Sequence, residues 1–217
     1  MKLAIYDFDG TYVNVQTVPH LFKLFKEKGY NPKVHKKYWN TIKVWYILHK
    51  LKLRWDKETF RKHAMAKTID LLHCLEDETL QTFMQAFYES LKPRVQQDLK
   101  KQLQQDKKDG YYCILLSGSF DVMLTPFLNE GFDEVIGTPS TKNQGRLTSK
   151  EVEIIIKDKK VEAIQKRFSN DTITHSKAYA DSYYDLPVLL YVDEGICYHP
   201  DASLESSCIM HQLNIIK

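Results

Sequence analysis

No apolar run in this 217-residue sequence approaches the ~20 residues that a membrane-spanning helix needs, so none is expected. Met1-Lys2 leads directly into an apolar strand, so no secretory leader is expected. The four cysteines (Cys74, Cys113, Cys197, Cys208) are widely spaced and contain no CxxC, so the usual thiolate metal and redox spacings are excluded. Three of them lie in apolar surroundings and read as small buried hydrophobes, which fits a reducing cytoplasm. Internal repeats and low-complexity tracts are also missing. Acidic residues are scarce in one stretch: His20–Lys67 holds fourteen Lys/Arg against three acids, a net +11, so the remainder carries −8 of the +3 total. A basic segment inside an acidic host suits a module that attracts anions. What is present is enough for a core. The 43% hydrophobic and 12% aromatic content excludes a disordered chain, and the length suits one large domain or a domain with an insertion.

The pattern opens with a strand at residues 2–7 and changes character after Val15. From about Thr17 to Val95 apolar residues recur at helical spacing, as in Leu21, Leu24 and Phe25, or Leu80, Phe83, Met84 and Phe87. Asn31-Pro32, Asp56 and Asp77 read as helix starts and Gly29 as a stop, giving an all-helical insertion of three or four helices. From Pro93 onward strand and helix alternate, which predicts a parallel sheet with crossover helices. Strands are expected at 111–116, 134–136, 177–180 and 196–198, with an extended piece near 151–156. Helices are expected at 95–108, from Ser117–Ser119 to about Glu130, at 160–168, around 186–192, and from Ala202 to the end.

Four segments carry chemistry. Tyr6-Asp7-Phe8-Asp9-Gly10-Thr11 sets two carboxylates two residues apart at the end of an apolar strand. A strand sends alternate side chains to one side, so Asp7 and Asp9 aim at one volume, where open α/β sheets hold ligands. Like charges that close call for a cation or a shared proton. The competing reading is a plain Asp/Gly turn. Ile114-Leu115-Leu116-Ser117-Gly118-Ser119 delivers hydroxyls and a flexible glycine to an expected helix N-terminus, a good anion site or simply an N-cap. Lys157-Asp158-Lys159-Lys160 puts lysines at a helix start, where they do not help the helix dipole. Ala178-Tyr179-Ala180-Asp181 again ends a strand on a carboxylate, with Asp185 four residues on; oxygen-only ligands suit Mg²⁺, although Asp185 alone could be an N-cap.

In order, strand-DxD, helical insert, strand-Ser, Lys and strand-DxxxD resembles the haloacid dehalogenase superfamily over nearly the whole chain. Ala178–Pro187, and Ile136-Gly137-Thr138 with Gly145-Arg146-Leu147-Thr148, are most similar to its phosphoserine-phosphatase-like subclass with a helical cap. The resemblance implies an α/β fold: a Rossmann-like doubly wound parallel-sheet core (1–15 plus 93–217) with an inserted all-helical cap (16–92). It implies a Mg²⁺-dependent phosphatase acting through an aspartyl-phosphate. Asp7 would be the nucleophile and Asp9 the acid and base. Ser117, the Gly118 N–H and Lys160 would hold the phosphoryl oxygens, with Lys159 as the alternative lysine. Asp7, the Asp9 carbonyl and Asp181 would bind the metal, with Asp185 in support. A phosphotransferase or mutase using the same intermediate, and a non-catalytic phosphate-binding regulatory protein on this fold, are the rival readings.

One position departs from the subclass. Phosphoserine phosphatases carry a Glu nine residues after the nucleophile, and here that residue is Gln16, which cannot pair with a substrate ammonium. A small phosphorylated metabolite other than phosphoserine is therefore expected. Specificity would fall to Gln16, Arg54, Arg61 and the cap aromatics. Tyr38, Ile42, Trp45 and Tyr46 also form a stripe at helical spacing, which reads as cap core. The cationic, Trp-rich cap suits either steering of a phosphorylated substrate or peripheral contact with anionic lipid. No nucleic acid is expected, because no motif that reads RNA or DNA is present.

Overall fold

The computed structural model of the protein describes residues 1–53, 55–148 and 153–217. The chain begins with strand β1 (Lys2–Asp7), followed by helices α1 (Thr17–Glu27), α2 (Pro32–Lys50), α3 (Lys57–Leu72), α4 (Asp77–Leu91) and α5 (Gln97–Lys108). Strand β2 (Tyr111–Phe120), the short α6 (Asp121–Leu124), β3 (Glu134–Thr138) and the hairpin β4 (Thr141–Asn143) and β5 (Arg146–Thr148) come next. Then follow α7 (Asp158–Arg167), β6 (His175–Ala180), α8 (Leu186–Tyr191), β7 (Glu194–Tyr198), α9 (Ala202–Met210) and β8 (Asn214–Ile216).

Two compact units result. One holds Met1–Val15, Ser90–Thr138 and Ile154–Lys217; the other holds Gln16–Glu89 and Pro139–Glu153. In the first unit six parallel strands lie in the order β3-β2-β1-β6-β7-β8. The chain winds outward from β1 through β2 to β3, then returns to β6 on the other side of β1. The switch point, where such sheets open a crevice, therefore lies at the C-terminal ends of β1 and β6.

Central strands are covered on both faces, which explains their unbroken apolar runs. On one face Leu3, Ile5, Ile114, Leu116, Ala178 and Ala180 pack with Ile164 of α7, Leu189 of α8 and Leu204 of α9. On the other face, under α5, Asp106 is fully buried among polar partners. It accepts from the Tyr6 hydroxyl at 2.6 Å and from Lys177 Nζ at 2.6 Å. Tyr179 stacks on Tyr6, with 4.7 Å between ring centroids.

The helical unit follows the sequence signals closely. Asn31 caps α2 by accepting from the Val34 N–H at 3.2 Å, and Asp56 caps α3 by accepting from the Thr59 N–H at 2.7 Å. Its core includes Leu21, Phe22, Phe25, Ile69, Phe83 and Phe87. Of the expected aromatic stripe, Ile42 is buried and Tyr38 and Trp45 are half-buried, but Tyr46 is exposed, so it is not core.

Several expectations are corrected. Residues 139–153, assigned from the sequence to the core, cluster with the helices. The His73 ring meets the Leu147 carbonyl at 2.6 Å and Arg146 pairs with Glu76 at 3.0 Å, while Leu147 is fully buried. Strand β2 does not stop at Leu116 to start a helix. It runs on to Phe120, with a shift of register against β3 between Leu116 and Phe120, and only the four-residue α6 and a 3-10 turn follow. The last helix ends at Met210, and β8 adds an edge strand too short to show alternation. Of the extended piece near 151–156, residues 151 and 152 lie outside the described residues and the rest is irregular. Cys197 and Cys208 are joined as a disulfide, their Cα atoms 6.7 Å apart across β7 and α9. Cysteine usage thus gives no argument for a reducing compartment. Among the described residues no helix is long and apolar enough to cross a membrane.

The Asp106 network sets the first prediction. Removing one partner of a buried ion pair leaves the other uncompensated, which costs about 3–5 kcal/mol. Asp106→Ala is expected to lower unfolding free energy in urea by that amount, and a loss below about 1 kcal/mol would contradict the assignment.

Candidate active site

The site is built at the switch point, wholly within the sheet unit. Asp7 is the last residue of β1, on the face that carries Leu3 and Ile5, and it is buried. The chain then folds tightly back: the Tyr12 N–H donates to the Asp7 carbonyl at 3.1 Å and the Val13 N–H to the Phe8 carbonyl at 3.0 Å. Gly10 makes this loop feasible. Its φ of +92° is left-handed, and a Cβ there would lie 2.3 Å from an Asp181 carboxylate oxygen. Asp181 follows directly after β6, so two neighbouring strand ends deliver carboxylates to one place.

Asp185 joins them from the turn before α8, and it too is buried. Asp7, Asp181 and Asp185 each offer an oxygen, all within 4.8 Å of one another. Lys160 enters from the first turn of α7 on the same helix face as the buried Ile164. Its Nζ donates to Asp7 Oδ1 at 2.6 Å, to Asp185 Oδ1 and to the Leu116 carbonyl at 3.4 Å. Burial disfavours the ammonium, yet the charges of Asp185 and Asp7 outweigh it and raise the Lys160 pKa. Of the two lysines left open by the sequence, Lys160 is the one in the cluster.

The charges do not balance. One ammonium faces three carboxylates, and the pKa of Asp181 is pushed up to about 7 by burial first, then by the charges of Asp7 and Asp185. Thr11 adds to the picture: its Oγ1 lies 3.2 Å from Asp7 Oδ2 and 2.9 Å from Asp181 Oδ1. A hydroxyl has one proton, so it cannot donate to both at once. A proton on Asp181, or a cation shared by both groups, would satisfy the geometry. Crowded oxygen-only donors fit Mg²⁺, which takes carboxylates and keeps several waters, so the residues present are a suitable set for it.

The second carboxylate of the DxD pair sits at the rim. Asp9 is half-buried, and its Oδ2 accepts from Ser119 Oγ at 2.9 Å. Ser117 is buried and its Oγ accepts from the Ser119 N–H at 3.0 Å. The shift of register frees this part of β2 from regular pairing, as bulges beside sites do. Gly118 is held close to Ile156: a Cβ would stand 2.9 Å from its Cγ2. The Gly118 carbonyl accepts from Thr138 Oγ1 at 2.7 Å, and that oxygen accepts from the Ile155 N–H at 3.1 Å.

Thr11 and Ser119 are the two site residues the sequence reading did not assign. The first was visible as the residue after Gly10, and the second as the strand neighbour of Ser117 at spacing two. Of the expected specificity residues, Gln16 is exposed at the start of α1 and Arg61 is half-buried on α3, both in the helical unit. Arg54 lies outside the described residues.

With this geometry in hand, comparison with known proteins is direct. The model of the haloacid dehalogenase-like hydrolase family matches residues 4–190, and the chain belongs to that family. Solved structures share its fold. A protein with unknown function from Bordetella pertussis Tohama I superposes with a TM-score of 0.82 at 17% identity, over 100% of this chain and 98% of that one. A substrate-bound phosphoserine phosphatase complex gives 0.64 at 20% identity, over 100% and 93%. A phospho-aspartyl intermediate analogue of phosphoserine phosphatase gives 0.62 at 19%, over 99% and 91%. A search of curated proteins finds no match.

The Asp181 proton yields a stability prediction. Metal-free folded protein holds it up to about pH 7, while the unfolded chain releases it near 3.8. The folded state therefore binds more protons between these limits, and its stability falls as pH rises through the window, levelling off above it. Asp181→Asn is expected to flatten that fall in thermal melts recorded from pH 4 to 8. Parallel curves for the two proteins would contradict the assignment.

Proposed function

We propose that this protein is a Mg²⁺-dependent phosphatase that hydrolyses a small phosphomonoester through a covalent aspartyl-phosphate. One observation carries the reading: Asp7, buried at the strand end, shares Lys160 and a carboxylate cluster, with Asp9 two residues on at the rim. A carboxylate so placed can attack phosphorus, and an acid beside it can serve the leaving oxygen.

The reaction assigned to these residues has two halves. In the first, an Asp7 oxygen attacks the phosphoryl group while protonated Asp9 gives its proton to the departing alkoxide. The Lys160 ammonium, the Ser117 hydroxyl and the Gly118 N–H offset charge on the equatorial oxygens, the main task in phosphoryl transfer. In the second, Asp9, now ionised, takes a proton from the water that attacks the aspartyl-phosphate, and free phosphate leaves. Ser119 would hold the Asp9 carboxyl in line through both halves. Asp7, the Asp9 carbonyl, Asp181 and Asp185 would hold the metal, whose positive charge supplies electrostatic stabilisation of the anionic transition state. Thr11 and Lys160 orient the Asp7 carboxylate from its two sides.

The family assignment supports hydrolysis, and one structure of like fold is itself a phospho-aspartyl intermediate analogue of phosphoserine phosphatase. Phosphoserine is disfavoured as the substrate here, because Gln16 offers no charge for its ammonium.

Turnover of p-nitrophenyl phosphate with Mg²⁺ is the first test. Chelation should abolish it and added Mg²⁺ restore it. Asp7→Asn is expected to lower kcat by about 10³-fold or more, and Asp9→Asn by roughly 10²–10⁴-fold. An Asp7→Asn protein as active as the parent would refute the reading. A screen of phosphorylated metabolites ranked by kcat/KM would name the substrate, and a transferred phosphoryl product in place of free phosphate would mark a phosphotransferase.

A further inference from the structure

The helical unit carries a surface that the proposed chemistry does not use. Helix α2 buries only His35 and Ile42, so most of its circumference faces outward. Along its last two turns Val44, Ile47 and Leu51 follow at i, i+3 and i+7, a single stripe. With Tyr46 and Leu53 they are 48–70% exposed. Five of the thirteen exposed large hydrophobic residues among those described thus fall within ten positions. Apolar side chains exposed in a contiguous patch mark an interaction surface, whereas scattered ones do not.

The charges next to the stripe on α2 are cationic, and the first acids follow at Asp56 and Glu58 where α3 starts. Lys43, Lys50 and Lys52 flank it and are exposed, with Lys50 Nζ lying 5.5 Å from the Tyr46 ring centroid. No Asp or Glu occurs from Lys28 to Trp55, a stretch with eight Lys and Arg. The N-terminal turns of the same helix add Lys33, Lys36 and Lys37, also exposed.

We infer that the tip of the α2–α3 hairpin is a peripheral contact for an anionic lipid bilayer. The aliphatic stripe enters the boundary between headgroups and acyl chains, and the lysines beside it reach the lipid phosphates. Long lysine stems allow this, since they lie along apolar surface while the ammonium stays at the polar level. An apolar face bordered by lysines is the composition of helices that lie in the membrane interface. A protein partner fits less well, because lysine is depleted where proteins bury apolar surface together. Single-stranded nucleic acid would need a row of outward aromatic faces, but of the five exposed residues only Tyr46 is aromatic, while Trp45 and Trp55 pack edge-to-face on each other at 5.0 Å and Trp55 stacks on His63 at 4.1 Å. No helix among the described residues is able to span a bilayer, so the contact lies on the surface.

The test uses the full-length protein with vesicles of phosphatidylcholine alone and of phosphatidylcholine mixed with phosphatidylglycerol. Binding is read by co-sedimentation and by intrinsic fluorescence, since all three tryptophans lie between residues 39 and 55. The protein is expected to pellet with the anionic vesicles at low salt, less at high salt, and not with the neutral ones. Ile47→Glu/Leu51→Glu should weaken partition roughly tenfold or more. Lys43→Gln/Lys50→Gln/Lys52→Gln should weaken it roughly a hundredfold, at about fivefold per lysine. Both sets change exposed residues, so circular dichroism should match the parent, and Asp7→Asn should bind vesicles as the parent does. No pelleting with anionic vesicles at low salt would overturn the inference. So would an unchanged affinity in Ile47→Glu/Leu51→Glu, which would reduce the effect to charge alone. A dimer in sedimentation velocity that this variant dissolves would assign the stripe to a second copy of the chain instead.

Discussion

Electrostatic crowding at one end of a parallel sheet is the constraint on which the rest of this molecule turns. Asp7, Asp181 and Asp185 are held within a few ångströms of one another, two of them buried, with Lys160 bridging Asp7 and Asp185. Such an arrangement costs folding free energy, because desolvated like charges repel and water cannot screen them. It persists because strand ends, a left-handed glycine and the first turn of a helix fix the backbone positions independently of the carboxylates. The result is a volume with a surplus of negative charge, which a divalent cation would offset.

The scaffold beneath it is stiff for a separate reason. Leu3 and Ile5 face the side of the sheet with α7, α8 and α9, whereas Tyr6 faces α5 and its buried Asp106–Lys177 pair. Neighbouring residues of one strand are thus pinned on opposite faces just before Asp7 emerges. A displacement of Asp7 would have to disturb both the apolar layer and the polar network, so positional accuracy at the strand end comes from packing on both faces.

The helical unit follows a different logic. Its core is aromatic and ordinary, but its outer surface is not: α2 has no acid and ends in an apolar stripe among lysines. Three of the fourteen cations of the His20–Lys67 segment, Lys43, Lys50 and Lys52, border the exposed aliphatic groups, and the others lie elsewhere along it.

Asp7, Asp181 and Asp185, which the structure brings together, could be picked out from the amino-acid order, because strand ends and the turns that follow them are local features. Helix starts at Asn31 and Asp56 were legible likewise, since capping is a contact between near neighbours, and α4 also starts at the expected Asp77. The choice between Lys159 and Lys160 needed the fold, because which lysine is buried depends on how α7 is seated against β2. Thr11 as a shared donor, the Ser119–Asp9 bond and the continuation of β2 through Ser117 depend on segments over a hundred residues apart or on strand register. The hairpin at 141–148 moved to the helical unit, and Cys197 met Cys208, for the same reason: long-range pairing leaves no periodic trace. By itself the sequence determined most of the elements, their order and the chemistry available at their ends. Tertiary structure decided which charges meet, since only packing sets the distances over which Coulomb and hydrogen-bond energies act.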